Sequence, residues 1–131
     1  MKKLLIFLFS ILISFNSYGE WTEVGTGASP VNDGDTFYID IDTIKEHNGY
    51  VYWWDLNDRL KPTEYGIMSD KTYAQGDCGV NRFKYLSFIS YKQPMGEGSG
   101  ETFTPPNPEW RYPSPDSVGG IMLKYACEYV D

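Results

Sequence analysis

The chain has 131 residues, a formal net charge of −7 and an aromatic content of 17%. So acidic a chain repels nucleic acid and anionic lipid at long range, and no nucleic-acid partner is expected. Its length fits one domain with one modest hydrophobic core.

The N-terminus has the parts that export machinery reads. Lys2 and Lys3 supply a positive start, and Leu4 to Phe15 is apolar except for Ser10. That run is too short to cross a hydrocarbon core of ~30 Å, which needs about 20 residues. It fits the apolar region of a signal peptide, and Ser17-Tyr18-Gly19 places small side chains at the cleavage positions. We therefore expect residues 1–19 to be a cleaved signal peptide and 20–131 to be one mature domain, periplasmic or secreted. A retained signal-anchor is the alternative. No cysteine follows the apolar run to accept a lipid, and no second stretch approaches the length of a membrane span. Cleavage removes two lysines, so the charge of −7 becomes −9.

Cys78 and Cys127 both lie beyond the signal. In an oxidising compartment an even cysteine count reads first as a disulfide. Closing the 49-residue separation between them would stabilise by roughly 4 kcal/mol in the chain-entropy model. A metal pair or a reactive thiol is the alternative. Zinc needs four ligands, however, and His47 is the one other soft donor.

In chain order, Trp21 to Val24 alternates apolar and polar residues and predicts a first strand. Ala28 to Asp35 is a turn-rich connection. Phe37, Ile39 and Ile41 share one face of a second strand, with Tyr38, Asp40 and Asp42 on the other. Asp42-Thr43-Ile44 begins a helical turn or bend, and Asn48-Gly49 is a hairpin turn, because both residues accept positive φ. Tyr50 to Leu56 reads as a central strand, with Tyr50, Tyr52, Trp54 and Leu56 opposite Val51, Trp53 and Asp55. Asn57 to Pro62 is a polar connection, and Glu64 to Ala74 an imperfect strand. Arg82 to Tyr91 is a better one, with Phe83, Tyr85, Ile89 and Tyr91 expected on one face. Pro94 to Gly100 and Pro105 to Pro113 are loops, since proline cannot sit in a central strand.

The period then changes. Ser114 is expected to cap a helix, with Pro115 and Asp116 in its first turn. Val118, Ile121, Met122 and Tyr125 would form its apolar face. Gly119-Gly120 weakens it by up to about 2 kcal/mol, so it needs tertiary packing. The expected fold is α+β: an antiparallel sheet of about five or six strands with a C-terminal helix packed on it and one disulfide.

Chemistry-bearing motifs are sparse. His47 beside Asn48-Gly49 reads as an exposed turn residue. Asp40 and Asp42 on one strand face would suit a carboxylate-dependent hydrolase if they lined a cleft. Asp33-Gly34-Asp35 suggests calcium ligands but lacks the full calcium-loop spacing. No catalytic residue, metal ligand or cofactor site is assigned. The aromatic cluster of Tyr52, Trp53 and Trp54 carries more: it fills a core, or where exposed it anchors a protein interface or a sugar platform.

Several pieces in order and spacing carry a resemblance. They are Trp21, Phe37-Tyr38-Ile39-Asp40, Asp42-Thr43-Ile44, Asn48-Gly49, Val51-Tyr52-Trp53-Trp54, Leu56-Asn57-Asp58 and Asp77-Cys78. Ser69, Lys71, Arg82, Tyr91, Met95-Gly96, Gly98, Trp110, Pro115-Asp116-Ser117 and Cys127 complete the pattern. The mature chain resembles the surface-adhesin protein E family of small exported bacterial domains. The resemblance implies an antiparallel sheet with a C-terminal helix, a Cys78–Cys127 bridge, adhesion to host proteins such as vitronectin or laminin, and a homodimer. The family's binding is associated with a basic stretch, for which Arg59, Lys61 and Lys71 are the matching residues, interrupted by Glu64 and Asp70. The expected function is a non-enzymatic binding module using the exposed aromatics or the Arg59–Lys61 segment on a host matrix or serum protein. An accessory protein for an envelope partner is the second reading, and the hydrolase the third.

Overall fold

The computed structural model describes residues 21–27 and 34–130. The expected signal peptide lies outside these residues, as does most of the turn-rich connection before Asp35. The strands are β1 (Trp21–Thr26), β2 (Thr36–Asp40), β3 (Lys45–His47), β4 (Tyr50–Asp58), β5 (Ser69–Asp77), β6 (Arg82–Tyr91) and β7 (Gly100–Phe103). They form one antiparallel sheet in the order β1-β2-β4-β5-β6-β7, and β3 pairs with the start of β4. One α-helix among the described residues, α1 (Val118–Val130), follows. The α+β reading holds, with seven strands among the described residues. The two that sequence patterning missed, β3 and β7, are short edge pieces whose residues are all exposed, so neither carries a burial alternation.

Turn chemistry sets the register. Asn48 and Gly49 take φ of 52° and 86°, the left-handed pair that closes β3 onto β4. Ile41–Thr43 is a 3₁₀ turn rather than the end of β2, capped by Asp40, whose Oδ1 accepts the Asp42 N–H. The strand after the first tight hairpin runs two residues beyond the expected Leu56, to Asp58, where it pairs with Ser69.

Alternation within β6 breaks. Tyr73 pairs with Ser87 but Ala74 pairs with Tyr85, so Leu86 is an extra residue, a β-bulge. The bulge sends Phe83 and Tyr85 toward the helix and Ile89 and Tyr91 to the opposite face, so the expected single face is divided. A one-residue slip reverses every later side chain.

The core lies between the sheet and α1. Phe37, Ile39, Val51, Trp53, Ala74 and Phe83 meet Met122, Leu123 and Ala126. The helix is rotated from expectation: Met122, Leu123 and Ala126 are inward and Ile121 is exposed. Ser117, not Ser114, caps it, accepting the Gly120 N–H at 3.1 Å, while Ser114 offers its carbonyl to Ser117. The glycine pair has a packing reason. A Cβ on Gly119 would stand 2.7 Å from the Phe83 ring, and one on Gly120 2.2 Å from the Ser114 carbonyl oxygen. The Cys78–Cys127 disulfide, with Cα atoms 5.9 Å apart, fastens the β5–β6 turn to the last turns of α1.

Candidate functional site

Strand alternation gives the sheet two faces of different kind. Toward α1, β4 sends Val51, Trp53 and Asp55; away from it go Tyr50, Tyr52, Trp54 and Leu56. Trp53 is 1% exposed and packs 6.4 Å from the Phe83 ring, so it is a core residue whose ring no partner can reach. Tyr52 and Trp54 are only half-buried.

On that outer face the rings run across strands. Tyr52 stacks on Tyr73 of β5 at 6.0 Å, and Tyr73 meets Trp54 at 4.9 Å. Burial raises the Tyr73 phenol above its ordinary range, with Tyr52 adding to it. At one end, Arg111 bridges to Phe83 and so brings Trp110 over the sheet, 5.7 Å from Tyr50. The Arg82 guanidinium and the Lys84 ammonium lie 4.1 and 4.4 Å from the Trp110 ring, a double cation–π contact. At the other end the Pro94–Gly96 turn closes the face. Asp58 accepts the Met95 N–H, and the Ser69 hydroxyl accepts the Gly96 N–H, burying Leu56, Ser69 and Tyr91.

Between these ends is a cavity of about 220 Å³ lined by Trp21, Asp40, Trp54, Lys71, Ile89 and Tyr91. Burial lifts the Asp40 carboxyl above its usual range; Asp42 also raises it, while the Asp42 N–H, Lys71 and the Thr43 N–H pull it down.

The other expected residues lie elsewhere. Arg59, after β4, binds Asp70 and approaches Asp35 at 3.9 Å, on the helix side of the sheet. Lys61 is exposed in the connection after it. The fold therefore does not bring Arg59 and Lys61 together with Tyr52 and Trp54. Asp40 and Asp42 are not a strand pair either, since Asp40 caps the 3₁₀ turn that contains Asp42. His47 is exposed beside Asn48.

Three contributors to the outer face escaped the sequence reading, Tyr73, Lys84 and Trp110, while Lys71 of the expected basic stretch also lies there. In Ser69–Asp77 the alternation of Lys71, Tyr73 and Gln75 with Thr72, Ala74 and Gly76 was a usable signal. Trp110 follows prolines and shows no period, so only tertiary structure could place it.

The helix-side face holds the most perturbed group. Asp55 accepts the Trp53 Nε1–H at 3.0 Å, and burial pushes its carboxyl up to about 7, partly offset by the Trp53 and Thr72 hydrogen bonds. Some of the residue's surface is still accessible, yet desolvation prevails because the carboxyl lies among the core side chains of β4 and β5. Tyr85 is pushed up to about 12 by burial, with Asp55 adding and Arg111 opposing.

The described residues thus form a small α+β domain, a disulfide-fastened sheet covered by one helix on one face and open and aromatic on the other. The sequence profile of the family described as surface-adhesin protein E matches residues 21–128, and the chain belongs to that family. No curated protein sequence matches the chain. Among solved structures, crystal form II of Haemophilus influenzae protein E is similar at a TM-score of 0.61 and 15% identity, covering 86% of this chain and 91% of that one. Protein E from non-typeable Haemophilus influenzae is similar at a TM-score of 0.59 and 15% identity, covering 83% and 73%. At such identity the structural likeness speaks for the fold, and the family match for an adhesin-like surface protein. Among the described residues no helix is long and apolar enough to cross a membrane.

Proposed function

We propose that the protein is a non-enzymatic adhesin-type module, exported by a signal peptide cut after Gly19, whose open sheet face binds a host matrix or serum protein. The observation that carries this reading is the row of half-buried rings, Tyr52, Tyr73 and Trp54, on the face that α1 does not cover. Tyrosine and tryptophan supply large contact area at little entropic cost, which is why they dominate binding hot spots. The family's association with adhesion supports the same reading.

The ion pairs of Arg59 favour the aromatic segment over the Arg59–Lys61 one. Arg59 is already engaged by Asp70 and Asp35, so it has little charge to offer a partner. On immobilised vitronectin and laminin, the double variant Tyr52→Ala/Trp54→Ala is expected to lose at least about tenfold in affinity, the scale of a hot-spot residue. Arg59→Ala/Lys61→Ala is expected to bind within about threefold of wild type, as charges outside the contact do. The opposite ranking would move the site to the Arg59–Lys61 segment. Retention of an envelope protein, with neither matrix protein bound, would replace the host partner with a bacterial one.

A further inference from the structure

The concave part of the open face mixes aromatic walls with one cation and one anion. The Lys71 ammonium lies 5.7 Å from the Trp21 ring centroid and 5.2 Å from that of Tyr91. Both are inside the range of about 6 Å for cation–π attraction. Among the described residues no ion pair within 4.0 Å includes Lys71, so its N–H donors are not taken up by a carboxylate. Asp40 accepts the Asp42 N–H with Oδ1, and a carboxylate's two oxygens leave further lone pairs for a donor. A donor and an acceptor thus stand in one cavity with the Trp21 and Trp54 side chains.

Size and charge narrow the occupant. A cavity of about 220 Å³ is smaller than the roughly 300–1,000 Å³ of sites for drug-sized ligands, so it takes one ring rather than an oligomer. The net charge of −7 and the Asp40 carboxylate oppose a polyanion, and Lys71 opposes a strong cation. What fits is small, neutral and polyhydroxylated, with one apolar face. A pyranose has this character. Its axial C–H groups pack on the electron-rich face of an indole, while its hydroxyls accept from an ammonium and donate to a carboxylate.

We propose that this cavity binds one neutral pyranose unit of a glycan, with Trp21 and Trp54 as stacking walls, Lys71 as donor and Asp40 as acceptor. The inference rests on the open face being the ligand surface, and adds the chemical class of a ligand it takes. A glycan at this point and a protein along the Tyr52–Tyr73 row would be neighbours on one surface.

The test uses the purified protein with methyl β-galactoside, methyl α-glucoside and methyl α-mannoside, compared with N-acetylneuraminic acid and heparin. Saturation-transfer NMR and calorimetry supply the readouts. At least one neutral glycoside is expected to bind in the millimolar range, with transfer strongest at its ring C–H protons. Lys71→Met and Asp40→Asn should each weaken binding at least about tenfold, as losing a charge-assisted hydrogen bond does. Asparagine still caps the 3₁₀ turn, so the second variant keeps the fold. Lys124→Met, exposed on α1, should leave binding unchanged. The proposal is overturned if no neutral glycoside binds at tens of millimolar, if the acidic sugars bind as well as the neutral ones, or if both site variants bind like wild type. Matrix-protein binding without any sugar binding would remove this inference and leave the adhesin reading standing. Sugar binding without matrix-protein binding would do the reverse.

Discussion

The two faces of the sheet are built from the same strands, yet they use aromatic residues for opposite ends. On the helix side Trp53 and Phe83 are sealed beneath α1, and even a carboxylate, Asp55, is drawn into the packing. On the open side Tyr52 and Trp54 lie against Tyr73, and Trp110 lies against Tyr50 and Lys84, each ring keeping some exposed surface. The difference teaches that aromatic content alone does not mark a binding surface; the strand period decides which rings a partner can reach. Neighbouring residues in one tripeptide, Tyr52-Trp53-Trp54, have different jobs because a strand alternates.

The comparison is sharpest at Trp53 and Trp54. Trp53→Ala leaves a large cavity under the helix and is expected to lower unfolding free energy by about 3–5 kcal/mol. Trp54→Ala removes a part-exposed ring pair and should cost about 1 kcal/mol. Urea unfolding of the two variants side by side checks this, and equal losses would break the division between faces.

Asp55 gives the next largest effect. Its carboxyl, lifted from 3.8 to about 7 by burial, holds a proton in the folded chain that the unfolded chain has released. For this group stability is fullest below about pH 4, falls as pH rises, and has lost its whole contribution above about pH 7. Asp55→Asn keeps an acceptor for the Trp53 indole, so it should flatten that slope and stabilise at pH 8 by roughly 2–3 kcal/mol. Unfolding midpoints from pH 4 to 8 are the measurement.

The smallest of the three effects concerns how tightly α1 seats. Alanine normally improves a helix over glycine by up to about 1 kcal/mol. At Gly120 the added methyl would meet the Ser114 carbonyl oxygen, and overpacking costs about 1–3 kcal/mol. Gly120→Ala should therefore destabilise by about 1–2 kcal/mol net, seen as a lower thermal midpoint. A rise would mean the cap region is looser than it stands here.

Much of this was legible in the sequence. Alternation in Tyr50 to Leu56 placed each of its residues on the correct face, and Asn48-Gly49 marked the hairpin. The cysteine pairing followed from the compartment that the N-terminus implied, and the bridge is present. Three features were not legible, for physical reasons. The bulge at Leu86 inserts one residue without any composition signal, so the faces of β6 were misread. The helix phase was set by where Phe83 meets Gly119, a long-range contact. The open face draws Trp21, Lys71, Tyr73 and Trp110 from segments far apart in the chain, and only strand order brings them together.

The chain's four tryptophans offer the most direct test of the claim that the open face is the binding surface. Each indole N–H gives one signal in a nitrogen–proton correlation spectrum, and the four divide between the faces. On titration with a vitronectin or laminin fragment, the signals of Trp21, Trp54 and Trp110 should shift or broaden. That of Trp53, held by Asp55 in the interior, should stay in place until the others are saturated. Perturbation of Trp53 alone, or unmoved indoles with changes confined to Arg59–Lys61 or the exposed side of α1, would contradict the account.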